Sequence, residues 1–208
     1  MIKNLVYFSG SIVIFFSGLI LYGIILNLRE DTLKEAMFEK GIDQMQNVKI
    51  VVSRSNYKLD LFSDTVLVKS YKAVFGQSTG RIKTSSSDNV TPIGKYRICY
   101  VDTSSKYHKK LFLDYPNTYD AAEALKQSII NKKEYDEIAQ SQDNDDCPPN
   151  STKLGADIGI QGIGEYDFIF RNLPFAFNWT DGSIAVSNEN IDEIYTVTSI
   201  NTPVEIRN

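Results

Sequence analysis

The segment NWTDGSIAVSNENIDEIY, residues 178–195, carries the clearest chemical pattern in the chain. Trp179 and Thr180 lead through an aspartate into Gly182, and one small residue, Ser183, follows. Next come a short apolar strand at 184–186 and a helix start at Ser187 or Asn188. A glycine turn ahead of a small residue at a strand start is a frame that presents a nucleophile. A serine in that place needs a neighbouring general base, because its hydroxyl reacts poorly at its free pKa. The chain has a single histidine, His108, far away in sequence and read as a surface or sheet-edge residue. Asp181 and Asp157 are the other candidates, and an exposed carboxylate with a pKa of about 4 is a poor base for a hydroxyl.

The elements that must position these residues are mostly strands. An apolar run fills 48–52, and Tyr57, Leu59 and Leu61 alternate with Lys58 and Asp60 as in a half-buried strand. A longer strand is expected over 66–75, bounded by Gly76, and a polar glycine- and serine-rich loop over 77–89. Thr91-Pro92 and Gly94 make a turn. Tyr96, Ile98 and Tyr100 then alternate with Arg97 and Cys99, and 109–115 is a strand stopped by Pro116. Residues 119–140 are helical in character, followed by an acidic loop at 141–146 that reads as solvated surface rather than a calcium site, since it lacks ligand spacing around a glycine. Short strands follow at 157–161 and 184–186, Ile191, Ile194 and Tyr195 share a helical face, and 203–206 closes the sheet. The expected domain is mainly β, with a helical insertion.

The other end of the chain bears on compartment. Residues 5–28 contain no charged side chain, a stretch long enough to span a bilayer core. Lys3 precedes it and Arg29, Glu30 and Asp31 follow, so the clean positive flank is N-terminal, which favours that end inside and the rest outside. A cleaved signal peptide would be shorter and end in a small-residue cleavage site, which is not seen near 23–27. The expected organisation is a cytoplasmic end at 1–4, a transmembrane anchor at 5–28, a helical stalk at 29–46 and a folded domain at 47–208. Apolar content of 42% and aromatic content of 12% suit a packed core. Beyond the anchor the chain loses only Lys3 from its 22 basic residues, leaving 21 against 26 acidic. That balance, with no long basic run, excludes nucleic acid as a natural partner. Two cysteines and one histidine do not make a dense metal centre, and no metal or cofactor is expected. Outside the membrane Cys99 and Cys147 could pair, but Cys99 in an apolar strand reads better as a buried thiol, and Cys147 as a loop residue.

Six pieces in order resemble the L,D-transpeptidase catalytic domain, the YkuD type. They are YKLDLFSDTVLVKSYKAVFG, an opening hairpin; DNVTPIGKYRI, similar to D-x-x-T-P-x-G-x-Y-x-I; LFLDYPNTYDA, a strand, Y-P-N and a helix; LGADIGIQGIG, where the family reads I-x-I-H-G; the 178–195 segment, where it reads W-T-x-G-C-I-A-x-x-N-x-D-I-x-x-L-Y; and TPVEI, a terminal strand. The resemblance covers about 48–206 and implies a YkuD-type, β-sandwich-like domain with a helical insertion, preceded by one N-terminal transmembrane helix. It also implies chemistry on peptidoglycan stem peptides: a cysteine thiolate attacks a carbonyl of a donor peptide, a histidine from the I-H-G strand serves as its base, and an acceptor amine resolves the thioester. A thiol, with a free pKa of about 8.5, needs only a modest shift for this role.

Both chemical positions differ here. Ser183 stands at the cysteine position and Gln161 at the histidine position, while Gly162, Gly182, Asn178, Trp179 and Thr180 keep the frame. A glutamine amide only donates and accepts hydrogen bonds. Losing nucleophile or base in a comparable triad costs on the order of a millionfold in turnover, and the two losses overlap. The leading expectation is a membrane-anchored pseudoenzyme, outside the cytoplasmic membrane, that binds stem peptides or a protein partner through Gly162, Thr180, Gly182, Trp179 and Tyr96. The alternatives are an active transferase using Ser183, and an exported β-rich interaction domain in which Thr180, Asp181 and Trp179 serve turns and core alone.

Overall fold

The computed structural model describes residues 2–27, 30–80, 82–173 and 175–208. Leu28 and Arg29, the expected end of the anchor and start of the stalk, lie outside the described residues. Helix α1 (Ile2–Asn27) is apolar on all sides, with most of its surface exposed, and residues 2–25 form a segment of mean hydropathy 2.1. A helix apolar all round needs an apolar surrounding, which fits a membrane anchor or a signal sequence. Helix α2 (Leu33–Glu39) starts at a capping box in which Thr32 and Glu35 bond each other's backbone amides. Leu33 and Ala36 bury its inner face against the sheet, so this short helix is part of the packed domain as well as a connector.

The sheet opens with β1 (Lys49–Ser53), β2 (Lys58–Ser63) and β3 (Val66–Lys72), an antiparallel meander. It continues through β4 (Gly94–Ser105), β5 (His108–Leu113), β6 (Gly159–Gln161), β7 (Ile184–Ala185) and β8 (Pro203–Arg207). The spatial order is β3-β2-β1-β8-β4-β5-β6-β7. Two pairings are parallel, β1 with β8 and β6 with β7. Strand β4 is long enough to serve two neighbourhoods: residues 94–97 pair with β8, and the residues beyond pair with β5 through two register shifts. Such irregularities bend a strand. The two ends of the order meet where Val74, just past β3, exchanges backbone hydrogen bonds of 2.9 Å each way with Ala185 of β7. The strand expected over 66–75 therefore ends at Lys72 and resumes as bridges at Val74 and Gly76.

Helices α3 (Thr118–Lys126) and α4 (Lys132–Asp143) make up the helical stretch expected at 119–140. The break falls at Ser128, which has a φ of 59°, and Asn131 starts α4 with its own capping box. A short helix, α5 (Asp167–Phe170), was not expected, and α6 (Asn188–Val197) runs from a Ser187 cap. The domain is thus mixed α/β with one continuous eight-stranded order, rather than mainly β and sandwich-like. The core joins Ile50, Val52, Leu59, Leu61, Leu111 and Leu113 from the strands to Ala121, Ile138, Ile191 and Ile194 from the helices. Cys99 and Cys147 are bonded to each other, tying β4 to the chain after α4 and correcting the reading of two separate thiols.

Candidate functional site

The site lies where β6 and β7 run parallel, with Ile160 opposite Ile184 and Gln161 opposite Ala185. Their pairing is short, and Ser183 extends it by one step with its side chain. Its Oγ accepts from the Gly159 amide at 3.2 Å and donates to the Asp157 carbonyl at 3.2 Å. Both of its hydrogen-bonding roles are taken by backbone, and the residue is 5% exposed. Gln161 is 2% exposed, its carbonyl accepting from the Val186 amide at 3.0 Å and its backbone facing Lys110 across the sheet.

The turn ahead of Ser183 is held from several sides. Thr180 Oγ1 donates to the Ser183 carbonyl at 2.6 Å and accepts from the Gly182 amide at 3.3 Å. The Thr180 amide donates to Phe75 and its carbonyl accepts from Gln77, each at 3.1 Å, while Asn178 Oδ1 accepts from the Phe75 amide at 2.9 Å. Gly182 has a φ of 124°, and a Cβ there would lie 2.7 Å from the Val90 carbonyl oxygen and 2.9 Å from Ile158. Only glycine fits. Gly162 passes under the β4–β5 hairpin, where a Cβ would lie 2.5 Å from the Tyr107 carbonyl oxygen.

Lys110, absent from the sequence reading, belongs to this corner. Its side chain crosses Gly159 and is buried, and Nζ donates to the Asp157 carbonyl at 3.0 Å and to Asp157 Oδ1 at 2.6 Å. Lys110 and Ser183 therefore donate to the same carbonyl oxygen. The signal available in the sequence was a lysine inside an apolar strand, but the register that sets it beside Gly159 is a tertiary fact. The three bases considered from sequence sit elsewhere or are engaged: His108 faces Asp192 of α6 at 2.8 Å, Asp157 holds Lys110, and Asp181 is exposed.

Beside the corner opens a cleft of about 140 Å³. Val74, Ile163, Trp179, Ala185 and Val186 line it together with an aromatic lip of Phe170, Phe175 and Phe177, and Ser183 itself is not among its lining residues. Lys69, Lys72, Arg171, Glu189 and Glu193 supply charge of both signs. The Trp179 ring stacks on Phe170 at 5.8 Å and lies 6.4 Å from Tyr107. Below the lip, Asp167 accepts from the Asn188 amide at 2.8 Å; burial raises its pKa, and that amide and Arg171 draw it back.

The structure thus gathers Ser183, Gln161, Gly162, Thr180, Gly182 and Trp179. Tyr96 is not with them: its ring is buried edge-on to Tyr115 at 5.8 Å, with its hydroxyl 3.4 Å from both the Ile93 carbonyl and Asp120 of α3. Within the D-x-x-T-P-x-G-x-Y-x-I segment, Val90 and Thr91 back the corner at Gly182 and Gly76, while Tyr96 serves the sheet and the helix over it.

The YkuD family, the L,D-transpeptidase catalytic domain, matches residues 47–206. No curated protein matches the chain. Among solved structures, the helical cell shape determining protein Pgp2 of Campylobacter jejuni is 16% identical with a TM-score of 0.51, over 85% of this chain and 54% of that one. Bd1075 of Bdellovibrio bacteriovorus is 19% identical with a TM-score of 0.49, over 78% of this chain and 48% of that one. An L,D-transpeptidase of Xylanimonas cellulosilytica is 12% identical with a TM-score of 0.44, over 85% and 70%. The chain spans about half the length of the first two, and at these identities the likeness to Pgp2 is one of fold.

Proposed function

Because the chain belongs to the L,D-transpeptidase catalytic domain family, we propose that it is a catalytically silent member. In this reading residues 5–28 anchor it in the cytoplasmic membrane, and the domain outside binds peptidoglycan stem peptides, or a protein partner, in the cleft beside Ser183. The family's substrate class supplies the ligand, and the Cys99–Cys147 disulfide fits an oxidising compartment outside the cytoplasm.

One observation carries the reading: the Ser183 hydroxyl is placed between the Gly159 amide and the Asp157 carbonyl, completing a β ladder. A nucleophile must offer a lone pair to substrate and a proton to a base. Here one of the two lone pairs faces an amide, the proton is given to a backbone carbonyl instead of a base, and the base position holds Gln161. The cleft beside it keeps aromatic walls and charges of both signs, which suits a zwitterionic peptide.

The shared carbonyl supports a second reading, an acyltransferase in which Lys110 serves Ser183. It requires Lys110 to leave Asp157 as a neutral amine. Intact mass of the chain after incubation with meropenem or a tetrapeptide donor separates the two. Silence predicts no adduct on the natural protein and an adduct on Gln161→His with Ser183→Cys. An adduct on natural Ser183, lost in Lys110→Met, would overturn silence in favour of the lysine-assisted route. If neither protein reacts, calorimetry with the tetrapeptide decides between a binding cleft and an interaction domain that does not use it.

A further inference from the structure

The segment 166–177, around and after α5, has an unusual surface. Tyr166, Phe168, Ile169, Phe175 and Phe177 are all exposed, Tyr166 at 60%, Phe168 at 58% and Phe175 at 50%. Its charged groups point the other way. Asp167 caps α6 at Asn188, and Arg171 pairs with Asp167 and with Glu189 of α6 at 2.6 Å. Lys72 of β3 holds the segment from behind by donating to the Leu173 carbonyl at 2.8 Å. The outward face is therefore aromatic and aliphatic, and the polar contacts that fix it lie inward. A soluble domain seldom exposes so many large apolar side chains within a dozen residues unless something covers them.

The position of α1 indicates what that is. Gly23 of α1 is buried against the same segment, and a Cβ there would lie 1.7 Å from the Asn172 carbonyl oxygen. Gly23 falls four residues before Asn27, the last residue of α1, which at 1.5 Å per residue is about 6 Å inside that end. A segment touching α1 at that height is level with the outer headgroup and upper acyl region of a bilayer that α1 spans. Tyr166 is of the type enriched in this zone, and the exposed Phe side chains are of the type that enters the headgroup and acyl boundary.

We propose that residues 166–177 form a lipid-docking surface that seats the domain on the outer face of the membrane crossed by α1, with Phe168, Ile169 and Phe175 entering the interface. The proposal rests on the anchor reading above. Phe170, Phe175 and Phe177 also form a lip of the cleft, and Glu30, Asp31 and Thr32 of the chain leaving α1 form part of its wall. Docking therefore opens the cleft beside the bilayer.

Trp179 is the single tryptophan, which allows a direct test. The full chain is reconstituted in phosphatidylcholine–phosphatidylglycerol bilayers with or without bromine on the acyl chains. Trp179→Phe is combined in turn with Phe168→Trp, Phe175→Trp and, as a control on α3, Tyr119→Trp at a position 76% exposed. Docking predicts that bromolipid at least halves the emission of the first two and leaves the third unchanged. If circular dichroism shows that Trp179→Phe disturbs the fold, the same substitutions are made with Trp179 retained and the added quenching is read. Positions 168 and 175 that respond no more than 119 overturn the proposal. So does emission that shifts with protein density in the bilayer but not with bromine, which marks a second copy as the occupant. Intact mass of the chain from membranes tests the premise separately. Loss of the N-terminal segment with release of the domain overturns the anchor, and an uncleaved chain without quenching overturns docking alone.

Discussion

The corner around Ser183 and the layer of α3 and α4 over Asp120 are both buried and both polar, yet they handle polarity in opposite ways. At the corner, hydroxyls and glycines join backbone to backbone: Ser183 bridges Gly159 and Asp157, and Thr180 bridges Ser183 and Gly182. Ser183 and Thr180 are neutral in every accessible protonation state, and Lys110 is held against Asp157. In the helical layer, Asp120 caps the Asn117 amide and takes a 3.4 Å contact from Tyr96, and burial raises its pKa to about 6. Nearby Asp114 is also raised by burial, against bonds from Arg97, which reaches on to Asp145. A buried site built from hydroxyls and amides keeps its geometry without regard to pH, whereas one built on a carboxylate changes with it. A frame can therefore outlast its chemistry most easily where it was made of backbone bonds, as at Ser183.

The largest expected effect strikes the helical layer. Cys99–Cys147 closes a loop of sequence separation 48, for which the chain-entropy estimate is about 4 kcal/mol. Cys99→Ser with Cys147→Ser should lower the urea midpoint accordingly and expose α4 to proteolysis before the β6–β7 corner. Loss of both regions together would mean that the domain has no such division.

Gly182→Ala reverses the comparison by striking the corner. The φ of 124° and the 2.7 Å approach to the Val90 carbonyl leave no room for a Cβ, and that nearest partner is backbone, so the cost is roughly 3 kcal/mol. Thermal melts check it: the substitution should destabilise far more than alanine at Gly41, whose φ is also positive but whose surroundings are open.

Ser183→Ala gives a smaller effect and addresses the proposed role of the hydroxyl. It leaves the buried Gly159 amide without its acceptor, a loss of about 1–2 kcal/mol, while Ser183→Cys restores a weaker partner and should fall between. Urea midpoints measure both. An alanine variant as stable as the natural protein would mean that the hydroxyl is not structural and reopen its use as a nucleophile.

The corner was more legible in sequence than the layer. The glycine turn, Ser183, Gln161 and the α6 start are local patterns of a few residues, and local patterns survive without knowledge of what packs on them. The exact break between α3 and α4 is harder to read, because Ser128 adopts a positive φ that its residue type does not announce, although Asn131 with Glu134 is a readable capping box. Lys110 was passed over since its place beside Gly159 follows from the β5–β6 register. Tyr96 was assigned to the groove because its motif is local, yet alternation in β4 turns it toward α3. The aromatic surface of 166–177 resembles a core in composition, and only its exposure distinguishes it.

The smallest effect sharpens the contrast most directly. With a folded pKa near 6 and an unfolded value near 3.9, Asp120 binds its proton more tightly in the native state. A carboxylate raised in this way penalises folding while it is ionised, so stability rises as pH falls from 7 through 6 toward 5, by roughly 1 kcal/mol. Carboxylates held below their usual range, such as Asp88 beside Lys83, act in the opposite direction and only in more acidic solution. Asp120→Asn keeps an acceptor for the Asn117 amide and removes this titration, so the gain in thermal stability from pH 7 to pH 5 should shrink by roughly 1 kcal/mol, what remains belonging to Asp114 and Asp167, which burial also raises. Ser183→Ala should shift both melting temperatures down by the same amount and leave their difference intact. A pH dependence undiminished in Asp120→Asn would remove Asp120 as its source, and one that disappears in Ser183→Ala would tie the titration to the corner after all.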